Sequence, residues 1–441
     1  MVNHRWIYWL PKPIRNKLSG RINLQIILAN SGWLIAEKII RMLLGLFIGT
    51  WIARYLGPNQ YGEIAYALAY IAFFQAITSL GIDGIVIREI SCDKTNAAQI
   101  LGTSLILRLG VGFTCWLTAI FGMAWIHGWN NQTVWIVAIA GSCLIFQAAD
   151  TIDLWFQSQS KNHLTVTVKL CTYISASIIK IILLITQASL MSFVIVMAFE
   201  ALLYAIGLIF IYKKFPCSSN WGFISPLAVR IIYESWPFML SSLAIMVYMR
   251  IDQIMIKEFL NEKELGIYAA VLPLSTTWQI IPMTLCASFA PFLAARKNQN
   301  ENDYLLMLRI IFRTFSLVGW VICIPIWLFS DVIVSALLGD QYKEAGEILS
   351  IHIFTNMFIG LGIAQSLWAI NEKKSEIFLY KVIIGALVCL IGNLLFLPTI
   401  GIKASAFTAV LSQLFAAVLS NIIWAPNIFL MQIKSIFFLK K

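Results

Sequence analysis

Eight ionisable side chains lie in apolar surroundings, and they carry most of the chemistry this chain can do: Lys38, Arg41, Arg108, Lys180 and Arg250 on the cationic side, Asp150, Glu200 and Asp252 on the acidic side. A charge at the centre of a membrane-crossing helix costs about 2.5–3.5 kcal/mol on insertion scales, so such residues usually face a cavity or a partner. At 100° per residue Glu37, Lys38 and Arg41 fall within about 100° of one another. Glu37 precedes Arg41 by four residues, the favourable order for an intrahelical pair, which leaves Lys38 without a partner. Thr165, Lys169, Thr172, Tyr173, Ala176 and Lys180 share a second face, with isoleucines on much of the remainder. Gln147, Asp150, Asp153 and Gln157 form an acidic stripe within about 120°. Glu200 is isolated in its helix. Arg250 and Asp252 point about 200° apart and cannot pair with each other. These faces predict a water-filled cationic cavity; scattered structural ion pairs are the alternative. Lys169, Arg309, Arg313 and Lys381 lie near helix ends, where a long side chain reaches the interface.

Bond-making chemistry has no comparable support. His4, His127, His163 and His352 lack metal-ligand spacing, no Ser/His/Asp set stands out, and there is no phosphate-binding Walker motif. The expectation is a protein that is not an enzyme and holds no cofactor, with H+ or Na+ as the possible coupling ion. The eight cysteines lie mostly in apolar runs without CxxC spacing and read as small core residues. Gly45-x3-Gly49 reads as a close-packing motif.

The elements that position these residues follow from composition. Of 441 residues 60% are hydrophobic and 12% charged, with a mean hydropathy of +0.81. Soluble domains carry about 25% charged residues, so a soluble enzyme, a disordered chain and a disulfide-stapled module are excluded. Apolar runs of spanning length predict about twelve transmembrane helices, at 26–53, 62–81, 99–125, 133–157, 163–187, 189–212, 235–257, 265–294, 305–330, 345–370, 375–397 and 404–425. With the N-terminus cytoplasmic, inside segments hold 18 of the 32 Lys and Arg and outside loops hold four. That bias places both termini inside. The net charge of +11 is spread between apolar stretches, so topology and anionic lipid account for it and nucleic acid is not expected.

An internal repeat underlies the twelve spans. A shift of 204 residues lays Leu56, Tyr61-Gly62 and Ala65 on Leu260, Leu265-Gly266 and Ala269, and Phe74-Gln75 on Trp278-Gln279. Both halves then have the same orientation, a parallel repeat of the kind found in secondary transporters. The expected fold is an all-α polytopic membrane protein: two six-helix bundles related by the repeat, around a central cavity. Its parts are a basic aromatic interfacial segment (1–25), an N-terminal bundle (26–212), a cytoplasmic linker (213–234), a C-terminal bundle (235–430) and a basic tail (431–441).

Two runs carry a family resemblance. Trp51-Ile-Ala-Arg-Tyr-Leu-Gly-Pro-Asn-Gln-Tyr-Gly62 with Tyr66-Ala-Leu-Ala-Tyr70, and Tyr248-Met-Arg-Ile-Asp-Gln-Ile-Met-Ile256 with Gly266-Ile-Tyr-Ala-Ala270, resemble segments of the Wzx-type O-antigen flippases, polysaccharide transporters of the multidrug/oligosaccharidyl-lipid/polysaccharide exporter superfamily. The likeness runs from about Leu24 to Ile428. It implies translocation of an undecaprenyl-diphosphate-linked oligosaccharide across a bacterial plasma (inner) membrane, by alternating access driven by an ion gradient, for O-antigen, capsule or exopolysaccharide synthesis. The partners it implies are the polyprenyl-diphosphate-linked oligosaccharide, a polysaccharide polymerase and a chain-length regulator. On this reading Lys38, Arg41, Arg108, Lys180 and Arg250 bind the anionic substrate, while Asp150, Glu200 and Asp252 are ion-coupling candidates. A multidrug/cation antiporter of the same superfamily is the nearest alternative, and a membrane enzyme of polysaccharide assembly a more distant one.

Overall fold

A computed structural model describes residues 22–215, 221–297, 300–372, 374 and 376–439. The basic aromatic residues from Arg5 to Arg21 and the terminal Lys440 and Lys441 lie outside the described residues. Among the described residues the chain is helical throughout, with no strand. A backbone in lipid must satisfy its N–H and C=O groups within the segment, which a helix does.

In chain order the first half contains α1 (Ile22–Thr78), α2 (Asp83–Cys92), α3 (Ala97–His127), α4 (Gln132–Ala140), α5 (Cys143–Phe146), α6 (Asp150–Ser158), α7 (Asn162–Ile185) and α8 (Leu190–Lys214). The second half contains α9 (Ser225–Phe259), α10 (Glu262–Thr276), α11 (Ile280–Lys297), α12 (Glu301–Leu328), α13 (Ser330–Leu337), α14 (Ala345–His352), α15 (Thr355–Asn371), α16 (Glu376–Ile400), α17 (Ile402–Leu414), α18 (Asn421–Trp424) and α19 (Pro426–Ile436). Among the described residues eleven helical segments are long and apolar enough to cross a membrane. The first carries two of the twelve expected spans, because Gly57 takes φ 72, ψ 169 and breaks α1 into two arms. The chain is a multi-pass membrane protein.

Short polar motifs end the spans. Asn131, Asn261 and Asn300 each accept a hydrogen bond from a backbone N–H of the helix they precede, satisfying donors that a helix start leaves open. We call the face where α1 begins proximal and the face of the Gly57 bend distal. At the distal face the second arm of α1 crosses α10 backbone to backbone. A Cβ on Gly62 would lie 1.9 Å from the Glu262 carbonyl oxygen, and one on Gly266 would lie 1.8 Å from that of Pro58. These are repeat-related positions meeting their own counterparts, so the pseudo-twofold axis of the two lobes passes between Gly62 and Gly266.

Other distal contacts reinforce this crossing. The Tyr66 hydroxyl donates to Glu258 Oε1 at 2.7 Å, with His127 Nε2 3.1 Å from the same hydroxyl. The Tyr342 hydroxyl donates to the Ala53 carbonyl at 2.7 Å. At the proximal face Arg88 pairs with Glu234 at 2.7 Å and Arg230 with Glu89 at 2.6 Å, tying α2 to the start of α9.

Candidate functional site

A cavity of about 810 Å³ is lined by both halves of the chain. Tyr61 and Ala65, beside the Gly62–Gly266 crossing, belong to its distal wall, and Lys38 and Arg41 lie toward the proximal end. Helix irregularities border it: Pro273 precedes a 3-10 turn at Thr277–Gln279 in one wall, and Ser412 and Gln413 precede a π-helical turn at Phe415–Leu419 in another. Such breaks deflect a spanning helix and recur at functional sites.

Four of the five proposed binding cations line this cavity: Lys38, Arg41, Lys180 and Arg250. Arg41 Nη1 pairs with Glu37 at 3.1 Å. Lys180 Nζ lies 2.9 Å from Glu200, so the carboxylate that looks isolated along its own helix is paired across helices. Among the described residues no ion pair is formed by Lys38 or Arg250, one on each half of the chain. An unpaired cation in a confined low-dielectric space attracts an anion more strongly than one in water. Asp252 also lines the cavity. It forms no ion pair with Arg250 and accepts from the Tyr268 hydroxyl at 2.5 Å and the Gln253 N–H at 2.8 Å. The buried Gln253 Nε2, on a cavity-lining residue, has no hydrogen-bond partner among the described residues. Buried polar atoms are normally satisfied by protein or ordered water, so this amide is suited to water or a polar ligand.

Arg108 stands apart from the cavity, which corrects its expected place. It is 2% exposed, bonded to Asp83 and to the Ser79 carbonyl. Its helical phase turns it into the interior of the first half, where the turn after α1 supplies acceptors. Asp150 likewise does not line the cavity; it lies beside Tyr204, within the fields of Arg108 and Lys169. Lys169 does not snorkel: its Nζ is 2.7 Å from Asp153. Lys381 also departs from that expectation, being 8% exposed and bonded to Gln365. Gln365 and Asn421 form a reciprocal amide pair, Nε2 to Oδ1 at 2.6 Å and Nδ2 to Oε1 at 2.9 Å. Arg309 and Arg313 are exposed; Arg309 lies in the first third of α12, while Arg313 lies near its middle and donates to the Leu439 carbonyl at 3.2 Å. Among the described residues no cluster suited to a metal ion occurs.

Tyr173 and the Tyr66–Glu258 contact escaped the sequence reading. Tyr173 was visible on the polar face shared with Lys180, but a tyrosine on a helix face does not announce a role. Glu258 follows an apolar run at a helix end, where a carboxylate ordinarily meets water.

Residues 27–295 match the model of a family described as polysaccharide biosynthesis protein, and residues 237–395 match a second, MatE. No curated protein matches the chain. Among solved structures, an inward-facing multidrug resistance transporter of the MATE family has a TM-score of 0.72 at 15% identity, covering 90% of this chain and 96% of that one. The lipid II flippase MurJ in an inward closed conformation also has a TM-score of 0.72, at 12% identity, covering 92% and 91%. An outward-facing multidrug resistance MATE transporter has a TM-score of 0.56 at 13% identity, covering 90% and 96%. At these identities the likeness shows the fold.

Proposed function

The chain belongs to the polysaccharide biosynthesis protein family, and from that membership we propose that it is a flippase moving a polyprenyl-diphosphate-linked oligosaccharide across a bacterial plasma membrane. The observation that carries this reading is the inter-lobe cavity, with Lys38 and Arg250, cations that form no ion pair among the described residues, on opposite halves of the chain. A diphosphate brings only acceptor oxygens and negative charge, which suit ammonium and guanidinium donors. The prenyl chain stays in lipid; Trp33, Leu43, Phe47, Met283 and Phe292 are exposed apolar side chains of α1 and α11 suited to it.

The bias of Lys and Arg toward the proximal face supports a cytoplasmic proximal side. With the distal crossing closed, this conformation reads as inward-facing. Asp252, Glu200 and Asp150 are the carboxylates proposed to couple the cycle to H+ or Na+. The MATE-like fold gives an organic-cation antiporter as the second reading. The cationic lining disfavours it, since like charge repels such a substrate.

The test is transport in proteoliposomes. A fluorescent undecaprenyl-diphosphate disaccharide should become accessible to a membrane-impermeant quencher faster with the protein than without it, and Arg250→Gln should slow it. Ethidium movement driven by a pH or Na+ gradient, with no effect on the labelled lipid, would overturn the flippase reading in favour of the antiporter.

A further inference from the structure

The two halves of the chain line the cavity with different chemistry. The first half brings Lys38, Arg41 and Lys180 among largely apolar neighbours, whereas the second half adds a run of neutral polar side chains, Thr276, Thr277, Gln279 and Gln413. We propose that this neutral wall reads the sugars of the lipid-linked substrate, with Thr277, Gln279 and Gln413 hydrogen-bonding their hydroxyl and acetamido groups; the proposal rests on the flippase reading.

The wall is built where two helices depart from α geometry. Pro273 has no N–H to give to the carbonyl of Ala269, itself a cavity-lining residue, and the chain then tightens into the 3-10 turn Thr277–Gln279. Gln413 stands just before the π-helical turn Phe415–Leu419. Both turns pack against α15, which brings polar side chains from two distant stretches of sequence to one side of the cavity.

The repeat shows that this polarity belongs to the second half alone. In the 204-residue register Thr276-Thr277-Trp278-Gln279 stands on Ala72-Phe73-Phe74-Gln75. None of those four first-half residues is among the ones lining the cavity; Ala72 is buried, and Gln75 Nε2 donates to Cys143 Sγ at 3.5 Å. In the second half two hydroxyls stand in place of apolar side chains, and the amide turns to the cavity instead of to a neighbouring helix.

These groups are available to a ligand. Thr277, Gln279 and Gln413 are partly exposed, and among the described residues their side chains form no hydrogen bond; Thr276 differs, its hydroxyl donating to the Leu272 carbonyl at 2.8 Å. An amide side chain offers two donors and an accepting carbonyl, and a hydroxyl both gives and accepts. Sugar hydroxyl and acetamido groups have the same mixed character. A diphosphate only accepts, and cations meet it better. A site that hydrogen-bonds a substrate group discriminates against an analogue lacking it, because its own polar groups are then left unmatched. The cavity, about 810 Å³, lies within the range of small-ligand pockets, about 300–1,000 Å³.

The experiment is equilibrium binding of two probes to the purified full-length protein: undecaprenyl diphosphate, and undecaprenyl diphosphate carrying one N-acetylglucosamine. The sugar should tighten binding to the wild type by about tenfold or more, the effect of two or more neutral hydrogen bonds. Thr277→Val, Gln279→Leu and Gln413→Leu should each weaken binding of the sugar-bearing probe by about two- to tenfold and leave the bare lipid within about twofold. The double variant Gln279→Leu with Gln413→Leu should lose most of the sugar's contribution while staying folded by thermal unfolding. Gln75→Leu, at the repeat-related position outside the cavity, should change neither probe. Equal binding of the two probes by the wild type, a sugar contribution undiminished in the double variant, or equal losses for both probes would overturn the assignment. Absence of binding of either probe by the folded wild-type protein would instead overturn the flippase reading on which the proposal rests.

Discussion

Alanine at Gly62 should open the distal face. Its Cβ would stand 1.9 Å from the Glu262 carbonyl oxygen, 2.8 Å from that carbonyl carbon and 3.0 Å from the Gly266 nitrogen. Real Cβ contacts essentially never fall below 3.0 Å, so α1 and α10 must part by at least about 1.1 Å. The obstacle is helix backbone, which cannot turn aside as a flexible side chain would. Overpacking of this kind costs roughly 1–3 kcal/mol. It falls only on the state in which the helices cross, so the closed-to-open ratio should drop by about 5- to 150-fold. Gly266→Ala should do the same, because its Cβ meets Pro58 O at 1.8 Å in the reciprocal contact. Gly110→Ala, with nothing within 4 Å, is the control. The assay is pulsed dipolar spectroscopy between spin labels at Asn130 and Lys343, exposed distal positions on the two halves, in a background without native cysteines. A longer-distance population should grow in both glycine variants and not in the control. A distance distribution identical to wild type in folded Gly62→Ala and Gly266→Ala would refute the crossing as the distal seal.

The same spectroscopy reads the polar part of the seal. Tyr66→Phe and Glu258→Gln each weaken or remove the 2.7 Å hydrogen bond and should raise the open population, with the double variant little more open than either single one, as partners in one interaction are non-additive. Tyr342 donates to Ala53 O from outside the spanning helices, and burial raises its hydroxyl above the ordinary phenol value. The protonated, donating form therefore persists past the pH where an exposed tyrosine ionises, about 10, and the difference in opening between wild type and Tyr342→Phe should stay constant from about pH 6 to 10. In the second half Lys381→Met should leave thermal stability within about 1 kcal/mol of wild type or raise it, as often happens when a buried charged group gives way to an apolar side chain of similar volume. Lys381→Glu, setting a carboxylate beside Gln365 Oε1, should lower it clearly.

Much of the fold was legible because lipid imposes simple rules. Apolar length marked the spans, and the 204-residue register already paired Gly62 with Gly266. That pairing could not say that the two residues touch, since a repeat fixes correspondence and not the position of its axis. Helical phase found Glu37–Arg41, and it kept Arg250 from Asp252. It failed for Arg108, Lys169 and Lys381, whose partners Asp83, Asp153 and Gln365 lie on other segments. One helix's periodicity says which residues share a face, but not whether that face meets a cavity or a neighbour. Lys180 shows the limit most clearly. Its place on the cavity wall was read from its own helix, while its pairing with Glu200 depends on the rotation of α8 against α7.

The polar seal has a size that makes sense for a cycle. A hydrogen bond to a charged group contributes about 1.5–3 kcal/mol and a neutral one about 0.5–1.5 kcal/mol, so Tyr66–Glu258 and Tyr342–Ala53 together contribute roughly 2–4.5 kcal/mol. Moving one elementary charge through 100 mV is worth about 2.3 kcal/mol, so one or two charges crossing with the gradient match it. A seal several times stronger would hold the protein closed at the distal face, and one much weaker would leave the cavity open at both ends. Gly62 and Gly266 complete this balance from the other side. Their crossing packs backbone on backbone, and without Cβ atoms it can close fully while leaving the polar latches to set the energy of distal opening.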